Sequence, residues 1–211
     1  MRSVPTATYN ALVDAPETGI VERNLVTFFV RSLDGESEEI FPFWNDLDTV
    51  TLSVIDGVTA ESVDRDFVGS GALISVDKII LPADLTVQTT KVVLSQIHAT
   101  VQNMVRGWDI RGAQVQIHRI LFDPATGLSV GDAMCHMVGR VNKAPINTPA
   151  TGEEGNISIS VVSQTRDLTR TNPAKKSDET QQRRSGDRGR RYVGTANVKI
   201  WWGQKKEKVK T

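Results

Sequence analysis

Thr49-Val50-Thr51-Leu52-Ser53-Val54-Ile55 alternates polar and apolar residues, and Asp56-Gly57 follows at once. A period of two places successive side chains on opposite faces of a strand. Asp-Gly after such a run is a strong hairpin signal, so a partner strand is expected from Val58, returning through Ser62–Arg65. The same period recurs on both sides of this hairpin. Upstream, Val21–Arg31 reads as a strand centred on Leu25, Phe28, Phe29 and Val30. Downstream, Phe67–Val76 is a strand with Gly69 and Gly71 inside it, which signals a bulge or a close backbone approach. Leu85–Leu94 is rich in β-branched residues and predicts a further strand. Ala113–Phe122, Ala133–Val141 and Asn156–Ser163 follow, with turns at Asp123–Gly127 and a Pro/Gly/Thr-rich loop at Pro145–Gly155. Val193–Trp202 is the closing strand, before a frayed tail from Lys205.

One helix interrupts this series. Gln96–Arg106 carries Ile97, Val101, Met104 and Val105 at helical spacing, with Ser95 as its N-cap and Gly107 as its stop. Many short strands, recurrent turn signals and a single helix predict a mainly β fold, an antiparallel sandwich or barrel. The expected divisions are an N-terminal extension over 1–20, a β-rich core over 21–169, and a C-terminal segment over 170–211 that combines a basic arm with the closing strand at 193–203.

The 211 residues hold 25 Lys+Arg and 25 Asp+Glu, a formal net charge of zero that hides a division. Arg170–Thr211 carries 13 basic residues against Asp178, Glu179, Asp187 and Glu207, a charge of +9, which leaves −9 on the first 169 residues. Such asymmetry points to a charged partner: nucleic acid, an anionic surface, or another copy of the chain. No apolar run approaches the ~18–20 residues that a membrane-spanning helix needs. Met1–Thr6 lacks the apolar stretch of a secretory leader, so export by that route is not expected. The one cysteine, Cys135, has no partner for an internal disulfide.

Catalytic signals are few. His98, His118 and His136 lack metal-ligand spacing, and a structural zinc site needs four nitrogen or sulfur ligands. Cys135 and His136 are neighbours on a strand and point to opposite faces, which disfavours a nucleophile–base pair and makes Cys135 a buried small hydrophobe. Acidic residues cluster at Asp34, Glu36, Glu38 and Glu39 and again at Asp46 and Asp48; the first group reads as a solvated hairpin loop, because the glycine and terminal glutamate of a calcium loop are missing at the required spacing. Gly69-Ser70-Gly71 leads into no helix and is not a nucleotide-binding turn. The chain is therefore read as a non-enzyme without a cofactor. The binding residues that stand out are Arg166, Arg170, Lys175, Lys176, Arg183, Arg184, Arg188, Arg190 and Arg191, with Trp201 and Trp202 nearby as aromatic anchors.

The order of several segments resembles the tail-tip proteins of long-tailed bacteriophages. It is carried by Val105-Arg106-Gly107-Trp108-Asp109-Ile110-Arg111-Gly112-Ala113 followed by Val115–Arg119, and by Gly69–Ile74. Also involved are Gly139-Arg140-Val141 before Ala144-Pro145-Ile146, Leu168-Thr169-Arg170 before Lys176-Ser177-Asp178, and Gln181–Asp187 leading to Trp202-Gly203. The resemblance spans roughly residues 20–203 as a loose pattern. It implies a β-sandwich or barrel related to tail-tube folds, in a ring that joins the tail tube to the hub or fibre complex at the distal end of the virion. Hexameric order is favoured and trimeric second, with tail-tube, hub, fibre and tape-measure proteins as neighbours and synthesis in the host bacterial cytoplasm. The resemblance transfers no individual contact residue.

The charge division fits such a ring, in which one surface of a subunit meets a different surface of the next. The basic arm is expected to reach a neighbour and take order there. Two other readings remain open. One is a nucleic-acid-binding β module using 170–191, and a tail protein could itself contact transiting DNA weakly. The other is a saccharide-binding sandwich, for which Trp44, Trp108, Trp201 and Trp202 are the candidate surface aromatics.

Overall fold

In the structure, a computed structural model, the described residues are 4–80, 82, 84, 86–150, 155–171, 174–193 and 195. They run in the order α1 (Thr6–Thr18), β1 (Val21–Ser32), β2 (Glu38–Trp44), β3 (Val50–Ile55), β4 (Ser62–Phe67), β5 (Leu73–Val76), β6 (Thr89–Ser95) and α2 (Ala99–Gly107). After them come β7 (Trp108–Phe122), β8 (Met134–Lys143), β9 (Ile146–Asn147), β10 (Asn156–Ser163), α3 (Thr165–Thr169) and α4 (Asp178–Gln182). Two compact units divide the chain, residues 1–169 and 170–211. The fold is mainly β, as the alternation predicts. One antiparallel sheet in the order β2-β1-β7-β8-β10-β6-β5, with β9 beside β10, curls into a half-barrel. β3 and β4 form a separate two-stranded sheet. Among the described residues no helix is long and apolar enough to cross a membrane.

The two faces of β1 and β7 explain the layering. Val26, Phe28 and Val30 alternate with Leu25, Thr27 and Phe29, and nearly all of them are buried, so both faces of the sheet are covered. On the inner face of the curl, Phe28, Val115 and Ile117 pack with Leu94, Ile159 and Val161 from the far strands, and α2 inserts Val101 and Met104. On the other face the β3–β4 hairpin buries Leu52, Val54 and Phe67 against Leu25, Ile120 and Trp44. Fully burying an aliphatic or aromatic side chain contributes roughly 1.5–3 kcal/mol.

Several expected boundaries move. The strand expected from Val58 begins at Ser62, because the Asp56 carboxylate accepts from the backbone N–H of both Val58 and Thr59 and closes a longer loop. Gly57 serves contact there: a Cβ at this position would lie 2.7 Å from the Cys135 sulfur and collide with Val138. The strand expected over 67–76 breaks after Phe67. Gly69 passes so close to the 46–48 backbone that a Cβ would lie 2.5 Å from the Asp48 carbonyl oxygen, and Ser70 and Gly71 take φ of 54° and 75°. The strand expected from Leu85 joins the ladder only at Thr89.

The helix begins at Ala99, with His98 extended at its N-cap. Ser95 closes β6 and accepts from the Ile97 N–H, so it does not cap the helix, and Ile97 is solvent-exposed. β7 starts five residues before Ala113 because a bulge re-phases it. Between the pairs Phe29–Gln114 and Arg31–Asp109, residues 110–113 stand opposite Val30 alone, with Gly112 at φ 71°. α1 and β2 arise where the alternation predicts no element. β2 is an edge strand, which is why it tolerates Pro42. The closing strand expected at 193–203 falls outside the described residues except for Val193 and Thr195, which lie in turns.

Candidate functional site

Unit 170–211 holds most of the residues that composition singles out. Ser177 caps α4, its hydroxyl accepting from the Thr180 N–H at 3.3 Å. Asp178 in the first turn accepts from Arg188 Nη2 at 2.7 Å and Gln182 Nε2 at 2.8 Å. The Arg188 guanidinium holds the Asp178 carboxyl below the usual range, and Asp178 in turn raises Arg188. Asp187 accepts from Gln181 Nε2 at 2.7 Å and the Gly189 N–H at 2.9 Å, and these bonds lower its carboxyl. Asp178 and Asp187 are thus engaged within the unit, and the segment expected to order only against a neighbour contains a capped helical turn of its own.

Lys175, Arg184 and Arg190, with Ser177, Thr180 and Gln181, line a polar concavity of about 280 Å³. Three cations around one hollow form a seat for an oxyanion, either carboxylate or phosphate. The remaining candidates are placed differently. Arg188 is committed to Asp178. Arg191 lies over the exposed Tyr192 ring at 5.6 Å. Arg170, Lys176 and Arg183 are exposed. Arg166 belongs to the other unit, on α3, and donates to Asn142 Oδ1 at 2.7 Å. Trp201 and Trp202 lie outside the described residues.

The β-rich unit contains a buried polar cluster that sequence reasoning missed. Arg65, on β4, reaches Asp56 Oδ2 at 2.6 Å and Gln116 Oε1 at 3.2 Å, while Gln116 Nε2 donates to Asp56 Oδ2 at 3.0 Å. The Arg65 guanidinium also sits 5.1 Å from the Phe29 ring centre. Burial pushes the Asp56 carboxyl up, but bonds from the Val58 and Thr59 N–H groups, Gln116 and Arg65 outweigh it and bring it down to about 2. Beside the cluster, His118 donates from Nε2 to the Ile55 carbonyl at 3.0 Å and leaves Nδ1 buried without a partner. Burial is the main cause of its imidazole falling to about 4. The available signal was phase: in Ser62–Phe67, Arg65 shares the inward face with Phe67.

The other chemical candidates are dispersed. Among the described residues no three His, Cys, Asp or Glu side chains gather as a metal site. Cys135 is buried. Asp34 and Glu36 lie in the exposed β1–β2 turn, whereas Glu38 and Glu39 belong to β2. Trp44 is buried and donates to the Asp48 carbonyl, so it is not a surface aromatic, and the half-buried Trp108 packs edge-on against Phe41 at 6.0 Å. No family model matches the chain, and no curated protein matches it in sequence.

Proposed function

We propose that the chain is a structural component of a bacteriophage tail tip, a ring-forming module that connects the tail tube to the hub or fibre complex. The observation that carries this reading is the division of charge: an acidic antiparallel β unit ends at residue 169, and a segment of charge +9 follows as a second compact unit. Complementary surfaces on one chain favour head-to-tail association, which closes into a ring when the rotation between neighbours permits. The resemblance in segment order favours a hexamer before a trimer, at the distal end of the virion, beside tail-tube, hub, fibre and tape-measure proteins. This role calls for neither catalysis nor a cofactor.

The test is electron microscopy with sedimentation of the full chain at low and high salt, beside a chain lacking 170–211. Rings that loosen in salt and fail without the segment are expected; association indifferent to both changes would sink the reading. The second reading, nucleic-acid binding, is favoured by the concavity of Lys175, Arg184 and Arg190. It predicts tight, salt-dependent oligonucleotide binding by a chain that stays monomeric.

A further inference from the structure

The ladder between β7 and β8 is incomplete. Pairing runs from Arg119–Met134 to Gln114–Arg140 and stops there, although β7 extends back to Trp108 and β8 forward to Lys143. Beyond that point the two strands diverge as a fork, and at its mouth Arg140 Nη1 donates to the Gly112 carbonyl at 3.3 Å. The space between the tines is a cleft of about 490 Å³. Val105 of α2, Ile110, Val141, Ala144 and Ile146 make it apolar, and Arg111 and Lys143 stand at its rim.

The arginines around the fork differ from those elsewhere in the β-rich unit. Elsewhere in that unit arginines are matched to carboxylates: Arg23 to Asp46, Arg31 to Glu38, Arg65 to Asp56 and Arg119 to Glu22. At this end Arg106, Arg111 and Lys143 are exposed, and among the described residues none forms an ion pair; the exposed Asp109 carboxylate accepts from the Arg111 backbone N–H at 3.0 Å and not from its side chain. Arg140 and Arg166 add positive charge, turned onto Asp167 and Asn142. An apolar cleft rimmed by unmatched cations fits a segment that combines an exposed apolar residue with carboxylates.

The β1–β2 turn has that composition. Leu33 is 71% exposed at its start, and Asp34, Glu36, Glu38 and Glu39 surround it. The turn is held in shape by Ser32 N–H to the Ser37 carbonyl at 2.8 Å and by Gly35 at φ 76°. Ser32 pairs with Trp108, so turn and fork stand at the same end of the sheet, side by side. A second copy, rotated so that its own turn faces this end, would meet the fork with that turn. We propose that the β7–β8 fork is the docking site for the acidic β1–β2 turn of a second copy, with Leu33 in the cleft and the turn's carboxylates over Arg111 and Lys143. This contact rests on the assembly reading above and names one of its interfaces.

The experiment uses the full chain. Arg111→Glu with Lys143→Glu, and separately Asp34→Lys with Glu36→Lys, are each expected to weaken self-association about tenfold, and mixing the two variants restores it. All four residues are exposed, so thermal melting should be unchanged. As a direct probe of the contact, Leu33→Cys mixed with Ala144→Cys should form an intermolecular disulfide that neither variant forms alone. Assembly untouched by either charge reversal, or a mixture that forms no disulfide, overturns the fork contact and leaves the ring reading standing. Dimers joined through the fork that never close into rings support the contact and count against the ring. A wild-type chain that stays monomeric at every concentration overturns both.

Discussion

Arg65 carries the largest electrostatic commitment in the β-rich unit, because its guanidinium is almost fully buried between the β3–β4 hairpin and the face of β1 and β7. Removing one partner of a buried ion pair strands the other, so Arg65→Ala is expected to cost about 3–5 kcal/mol in a urea titration. The neighbouring titratable groups both make the fold acid-sensitive. His118 has its folded value depressed to about 4, so the unfolded chain takes up the proton first and stability falls as pH drops from about 6.5 towards 4. Asp56 is depressed to about 2, so its contribution is complete above the ordinary carboxylate value and is lost as pH falls from about 4 towards 2. Melting temperature against pH should therefore decline in two stages, and His118→Gln should remove the upper one. A wild-type curve flat between pH 6.5 and 4 would show that His118 gains no proton on unfolding.

At the scale of elements, the hairpin is where propensity and packing part company. Asp56-Gly57 was legible as a turn, but a local signal carries no information about Cys135 and Val138, the residues that require the missing Cβ. Gly57→Ala is expected to lift the loop and destabilise the chain by about 1–3 kcal/mol, read from the denaturation midpoint. α1 is the opposite case: Thr8 alone of its residues is buried, and Pro16 interrupts its last turns. Deleting residues 1–19 should leave the sheet signature in circular dichroism intact and lower the melting point by only a few degrees, a small cost consistent with the little apolar area it buries. A collapse of the sheet signal would give α1 a larger share in the fold than its burial supports. β2 was missed because Glu38-Glu39 reads as loop; the reason it forms is non-local, since Phe41, Phe43 and Trp44 pair with Phe28, Val26 and Leu25 across the ladder.

For the whole molecule, the expectation that follows from charge is salt-sensitive association. Moving from low to high salt should shift the full chain toward smaller species in sedimentation, and the chain lacking 170–211 should respond less because the +9 segment is gone. The alternation of apolar residues determined by itself that the protein is mainly β, because period two is a property of the strand and needs no partner to be read, and the turn signals between strands added the antiparallel pairing. The count of charges determined that an acidic body is joined to a basic end. The tertiary structure alone decided the rest: that β1 pairs with β7 some ninety residues away, that Arg65 points inward to Asp56 and Gln116, and that Lys175, Arg184 and Arg190 share one hollow while Arg188 is spent on Asp178. It also decided that the β7–β8 ladder opens beside unmatched cations. These features depend on which residues distant in the chain come to lie within a few ångströms, and local periodicity does not encode that.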